Sequence, residues 1–108
     1  MKDIRTVVAE AIVAAKAVGA VSYAQVGERD CCGFAWVEVF VERTNSKEAK
    51  ELIAAGFRKD YKPKCLTMWN PSGLGTQSMT PKEAGAWAMA EVLRDKLGLK
   101  AYAGSRMD

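Results

Sequence analysis

Apolar residues recur at helical spacing in three stretches of the chain. The first stretch, residues 3–18, predicts a helix that Gly19 ends in a left-handed conformation. The second begins near Ser46 and closes at Gly56, and the third begins at Thr80, where Thr80 and Glu83 form a capping box, and stops at Gly98. Three amphipathic helices are therefore expected.

Between the first two helices, residues 33–42 alternate as a β-strand does. One face of this strand carries only small apolar side chains, from Ala35 to Val41. The other face carries Phe34, Trp36, Glu38 and Phe40. Shorter strands are predicted at 21–26, 65–69 and 99–103, followed by a polar tail from Gly104, for whose last four residues disorder is the simpler interpretation.

This order of elements predicts a single α+β domain spanning residues 1–108. We expect a small three- to four-stranded sheet with three helices packed mainly on one face. The aromatic face of the central strand then has two interpretations. Either it is covered as well, and the strand lies within a core, or it is an open platform that binds a ligand. The covered strand is the favoured interpretation, because aromatic strands are common in cores.

Composition narrows the possible chemistry. The chain has no histidine, which excludes Ser-His and Cys-His nucleophilic sites and removes the commonest transition-metal ligand. Its three cysteines, two of them adjacent at Cys31 and Cys32, form neither a disulfide framework nor a Cys-x-x-Cys pair, which favours reduced thiols in a cytosolic protein. The net charge of +3 permits contact with nucleic acid without requiring it. The N-terminal apolar run, which Glu10 and Lys16 interrupt, is predicted to be too short and too charged to span a membrane, and it lacks a signal-peptide layout.

An enzyme is not favoured, and no catalytic residue, metal site or cofactor is predicted. Glu38 is the one carboxylate in a suggestive setting, because apolar surroundings raise the pKa of a carboxyl group.

The segment Gly33–Val39 resembles the ribonucleoprotein octamer of RNA-recognition motifs. Under that resemblance Phe34 and Trp36 stack on bases. The segment departs from the octamer at Cys32, where a basic residue is usual, and at Val39, where an aromatic residue is usual.

Basic residues that are distant from this strand in the sequence would contact the phosphates of a nucleic acid bound to it. Lys62 and Lys64 belong to a basic run that includes Tyr61, and Arg106 lies in the C-terminal tail. A solvated loop and a disordered tail would explain the same residues without a ligand.

A second candidate site is the polar, glycine-containing loop of residues 70–78. It leads into the N-terminus of the third helix, where anions are stabilised. Its possible anion-binding residues are Asn70, Ser72, Gly73 and Thr76. The loop lacks the spacing and the lysine of a P-loop, so a plain connection is the simpler interpretation.

Several segments together resemble a family of small proteins encoded by tailed bacteriophages. The segments are Cys32–Val37, Trp69–Ser72, Thr76–Met79, Ala84–Leu93 and Ala101–Asp108. The resemblance implies a protein made in the host cell cytoplasm during infection, and it transfers no catalytic residue.

Two functions are predicted from these features. The first is binding of nucleic acid or a nucleotide through Phe34, Trp36, Lys62, Lys64 and Arg106. The alternative is a protein-binding inhibitor or adaptor directed at a host or defence protein, with Trp69, Trp87 and the aromatic face of the strand as interface anchors or homodimer contacts. Neither function involves a membrane.

Overall fold

The structure, a computed structural model, describes residues 3–28 and 31–107, which form three helices and four strands. In chain order the elements are α1 Ile4–Val26, β1 Gly33–Phe40, α2 Lys47–Ala54, β2 Arg58–Lys59, β3 Cys65–Trp69, α3 Met79–Leu97 and β4 Lys100–Met107. The strands form one antiparallel sheet in the order β2-β3-β1-β4. After α1, the order β-α-β-β-α-β with this strand arrangement is that of the split β-α-β, ferredoxin-like motif.

The helices pack on one face of the sheet, which confirms the predicted α+β architecture. The small residues of β1, Ala35, Val37 and Val39, are buried in a single core with side chains from all three helices. On α1 and α3 this core is built largely from alanine, valine and glycine, which allows the two helices to approach closely.

Helix α1 is longer than the sequence predicts. Gly19 does not end it, and residues 21–26 are helical rather than a strand; the helix stops at Gly27, whose φ is 57°. Gly19 serves packing instead, since a Cβ there would lie 2.9 Å from the Cβ of Ser72. An 18-residue window of the extended helix has a mean hydropathy of 1.6, so the helix is long and apolar enough to cross a membrane by length and composition, and the prediction that it is too short is wrong. Four of its side chains, Val7, Val8, Ala11 and Ala15, are nonetheless buried in the protein core.

The C-terminal segment is ordered in the sheet, so the prediction of a disordered tail is wrong for residues 105–107. It extends β4 to Met107 and pairs with β1, where Arg106 lies opposite Phe34 and Gly104 opposite Trp36. The cause is tertiary, because the unsatisfied backbone groups of β1 at this edge provide a ladder of partners.

The start of α3 also differs. The helix begins at Met79 with Ser78 in the N-cap position, so Thr80 does not cap it. The Ser78 hydroxyl donates to the carbonyl of Gly27 at 2.6 Å instead of capping its own helix. This bond ties the end of α1 to the start of α3.

Candidate nucleic-acid interface

The two faces of β1 have different environments. Ala35, Val37 and Val39 point into the helical core, while the side chains between them lie on the face that the helices leave uncovered. There Phe34 is 37% exposed, and Trp36 and Phe40 are half-buried. The favoured interpretation of a strand covered on both faces is therefore wrong.

Neighbouring strands add aromatic rings to this open face. Register places Trp69 of β3 opposite Trp36, and Tyr102 of β4 diagonally beside Phe40. Ring centroids lie 4.9 Å apart for Trp36 and Trp69, 6.3 Å apart for Phe34 and Trp69, and 6.0 Å apart for Phe40 and Tyr102. We call these five rings, Phe34, Trp36, Phe40, Trp69 and Tyr102, the aromatic platform. Trp69 and Tyr102 are 56% and 52% exposed, so the platform presents ring surface to solvent.

A glycine in β4 determines how Trp36 sits in the platform. A Cβ at Gly104 would lie 2.6 Å from Cε2 and from Nε1 of the Trp36 indole, closer than any side chain permits. The indole therefore lies directly across the β4 backbone at this position. Gly104 thus allows Trp36 to lie low on the sheet, where its ring contacts Trp69.

The carboxylate of Glu38 lies in the middle of the platform. Its Oε1 accepts hydrogen bonds from Trp36 Nε1 at 3.0 Å and from Lys62 Nζ at 2.7 Å. Partial burial alone would raise the pKa of Glu38, but these two hydrogen bonds and the positive charge of Lys62 outweigh it and lower the pKa. Glu38 is therefore ionised at neutral pH.

Two cations lie over the Phe34 end of the platform. The Nζ of Lys82 is 5.5 Å and the guanidinium carbon of Arg106 is 5.9 Å from the Phe34 ring centroid, both within the range of a cation–π contact. Lys82 comes from α3 and also donates to the carbonyl of Gly33 at 3.1 Å. A phosphate beside a base stacked on Phe34 would meet both charges.

The two predicted lysines have different positions. Lys62 lies on the platform, but its ammonium is paired with Glu38, and this hydrogen bond raises the pKa of Lys62. Lys64 is exposed at the Phe40 end, where it lines a groove of about 750 Å³ that also includes two lysines and two glutamates, Lys47, Lys100, Glu42 and Glu48. The structure thus brings Phe34, Trp36, Lys62 and Arg106 to one face and places Lys64 at its far edge.

The 70–78 loop uses its polar groups internally. The Asn70 amide donates to the Leu74 carbonyl at 2.8 Å, and the Ser72 hydroxyl donates to Asn70 at 2.7 Å and accepts from the Leu74 N–H. The Gly73 N–H donates to the Asn70 carbonyl, and the Thr76 hydroxyl is hydrogen-bonded to the Glu28 carboxylate. Anion binding here stays a prediction, and a carboxylate beside the loop opposes it.

Cys65 also faces the platform side of the sheet, but it is 1% exposed. Burial, with smaller effects from nearby carboxylates, raises the pKa of its thiol to about 11, so it is not a nucleophile at neutral pH. In residues 3–28 and 31–107, no three His, Cys, Asp or Glu side chains are grouped to hold a metal ion.

Sequence reasoning missed three residues of this surface: Trp69 as a platform ring, Tyr102 and Lys82. Alternation along β3 places Trp69 on one face with Thr67 and Cys65, but nothing in the sequence sets the register that brings it opposite Trp36. Lys82 carries no local signal, because its position depends on the packing of α3.

Comparisons of the chain with protein-family models, with curated proteins and with solved structures found no match.

Proposed function

We propose that this protein binds single-stranded nucleic acid on the aromatic platform. The observation that carries the proposal is the exposed Trp69 ring, in contact with Trp36 and Phe34 on the uncovered face of the sheet. Exposed rings on an open four-stranded sheet are surfaces on which unpaired bases stack, and each stacked base contributes about 1–3 kcal/mol.

The length of the surface favours a polymer over a mononucleotide. Phe34 and Phe40 are six residues apart on β1, which corresponds to about 20 Å along the strand. Rings occupy both ends of this distance. Lys82 and Arg106 lie at one end, and Lys64 and Lys100 at the other. A strand of several nucleotides would therefore place phosphates near both groups of cations.

The experiment is a fluorescence anisotropy titration of a labelled mixed-sequence oligonucleotide of about 12 nucleotides. Trp69→Ala is compared with Trp87→Ala, because both tryptophans are 56% exposed and Trp87 lies in the helical layer on α3. Trp69→Ala is expected to raise the Kd by about 5- to 150-fold, and Trp87→Ala to leave it unchanged. The affinity of the wild type should fall as salt rises.

The proposal fails if the wild type shows no binding at about 50 mM salt. It also fails if Trp69→Ala binds as tightly as the wild type.

Binding to a protein partner is a second candidate, supported by the outer surface of the helical layer. Val13 and Val21 on α1 are 66% and 62% exposed, and Trp87 adds a half-exposed ring on α3. Exposed apolar surface of this kind is typical of protein interfaces. Capture of one stoichiometric protein from bacterial lysate by the wild type and by Trp69→Ala, but not by Trp87→Ala, would support it.

The phage resemblance adds a context to either function. We propose that the protein acts as an accessory factor in the host cytoplasm during infection.

A further inference from the structure

Glu38 is the one acidic residue of β1, and it lies at the centre of a surface that otherwise suits an anionic ligand. Trp36 and Trp69 lie on one side of it along the sheet and Phe40 on the other, while Tyr102 of β4 lies directly opposite it. A carboxylate at this place repels phosphate. The role of Glu38 therefore involves the bases of a bound nucleic-acid strand rather than its phosphate backbone.

The hydrogen bonds of Glu38 leave acceptor capacity. Both described donors, Trp36 Nε1 and Lys62 Nζ, bond to Oε1, and neither uses Oε2. No buried side-chain oxygen or nitrogen of the described residues lacks a partner, and the Glu38 side chain is 14% exposed, so Oε2 is at the accessible surface. An ionised carboxylate oxygen only accepts hydrogen bonds, and this one has lone pairs to offer.

The carboxylate is also held in place. Trp36, seated over Gly104, and Lys62 fix its orientation from two directions. A fixed acceptor between stacking rings is positioned to contact the edge of a stacked base. This is a contact that reads sequence rather than one that only adds affinity.

Bases differ in what they offer to such an acceptor. Cytosine and adenine present exocyclic amino groups, which donate, whereas thymine and uracil present a carbonyl oxygen at the corresponding place, which a carboxylate repels. Given the nucleic-acid function proposed above, we propose that Glu38 is a specificity-determining residue. It makes the platform prefer bases with an exocyclic amino group over uracil and thymine, so that cytosine is the preferred pyrimidine.

The test uses oligo(dC) and oligo(dU) of equal length, because cytosine and uracil have the same ring size and differ in the amino or carbonyl group. The wild type is expected to bind oligo(dC) about 5- to 10-fold more tightly than oligo(dU). In Glu38→Gln the preference should disappear or reverse, because the amide N–H₂ donates to the uracil carbonyl.

Glu91→Gln is the matched control. It makes the same carboxylate-to-amide change on the exposed surface of α3, away from the platform, so the preference for oligo(dC) should remain. Circular dichroism and thermal unfolding of each variant establish that the fold is kept.

The outcomes separate the two proposals. Equal affinity of the wild type for both oligonucleotides, or the same preference in Glu38→Gln, overturns the role of Glu38 while the nucleic-acid function stands on Trp69→Ala. Absence of binding to either oligonucleotide overturns the nucleic-acid function, and the role of Glu38 falls with it.

Discussion

The aromatic platform and the 70–78 loop are both candidate ligand sites by sequence, but they use their chemical groups differently. In the loop, Asn70 and Ser72 form hydrogen bonds with each other and with Leu74, and Thr76 is bonded to Glu28. On the platform, ring faces and one carboxylate oxygen remain accessible. Polar groups whose hydrogen bonds are made within the protein stabilise a turn, whereas groups that still have a free acceptor or an exposed ring face can bind a ligand.

The loop also shapes the packing of the helices. Ser72 is 3% exposed and fits between Gly19 of α1 and Gly85 of α3. The two regions should therefore separate in experiment, with changes around the loop lowering stability and changes on the platform lowering binding.

The largest effect is expected for Gly85→Ala. A Cβ at Gly85 would lie 2.7 Å from the Cβ of Ser72 and 3.0 Å from the carbonyl oxygen of Ala15, so the loop or α1 must shift. We expect the free energy of unfolding to fall by about 1–3 kcal/mol, although alanine is the better helix former. Urea denaturation measures it, with Gly75→Ala as the control, because a Cβ at Gly75 meets nothing within 4 Å. A stability equal to that of the control would contradict a structural role for this contact.

Gly104→Ala should lower the affinity for the oligonucleotide rather than the stability of the protein. The new methyl group displaces the Trp36 indole, which breaks its bond to Glu38 and disturbs its contact with Trp69. We expect the Kd for oligo(dC) to rise about 5-fold or more, with little loss of stability, since the indole is on the open face. Anisotropy and urea denaturation on the same preparation measure both quantities. An unchanged Kd would mean that the position of Trp36 does not matter for binding.

A smaller effect is expected from the ion pair of Glu38 and Lys62. Because the pKa of Glu38 is lowered in the folded protein below the ordinary value of 4.5, its contribution is present above pH 4.5 and is lost as pH falls through the folded pKa. Lys62 is 39% exposed, so solvent screening keeps this contribution small. Between about pH 6 and pH 3, the wild type should lose more stability than Glu38→Gln. Glu91→Gln, on the exposed surface of α3, is the control and should follow the wild type.

The smallest effect is expected for Thr76→Ala. The Thr76 hydroxyl is bonded to Glu28 and accepts from the Ser78 N–H, so it has little capacity for an anion. We expect less than about a twofold change in oligonucleotide affinity, since the loop is remote from the rings that bind the bases. A larger loss, accompanied by binding of inorganic phosphate that the variant lacks, would restore the loop as a site and break the comparison.

Local patterns in the sequence were sufficient to predict the class of fold and one strand of the candidate site. The alternation of Ala35, Val37 and Val39 with Phe34 and Trp36 is a property of consecutive residues, and the structure keeps it. The prediction of helix ends was wrong where a glycine allows close packing instead of ending a helix. Gly19 was expected to end a helix but instead allows Ser72 to approach, a contact across more than 50 residues that no local pattern reveals.

The chain by itself determined that β1 has a small apolar face and an aromatic face, because side chains of a strand alternate in space. Only the tertiary structure decided which face is open: the helices cover the small residues, where alanine, valine and glycine allow close packing. It also decided that Trp69, Tyr102, Arg106 and Lys82 join Phe34 and Trp36, because strand register and helix packing bring together residues far apart in sequence.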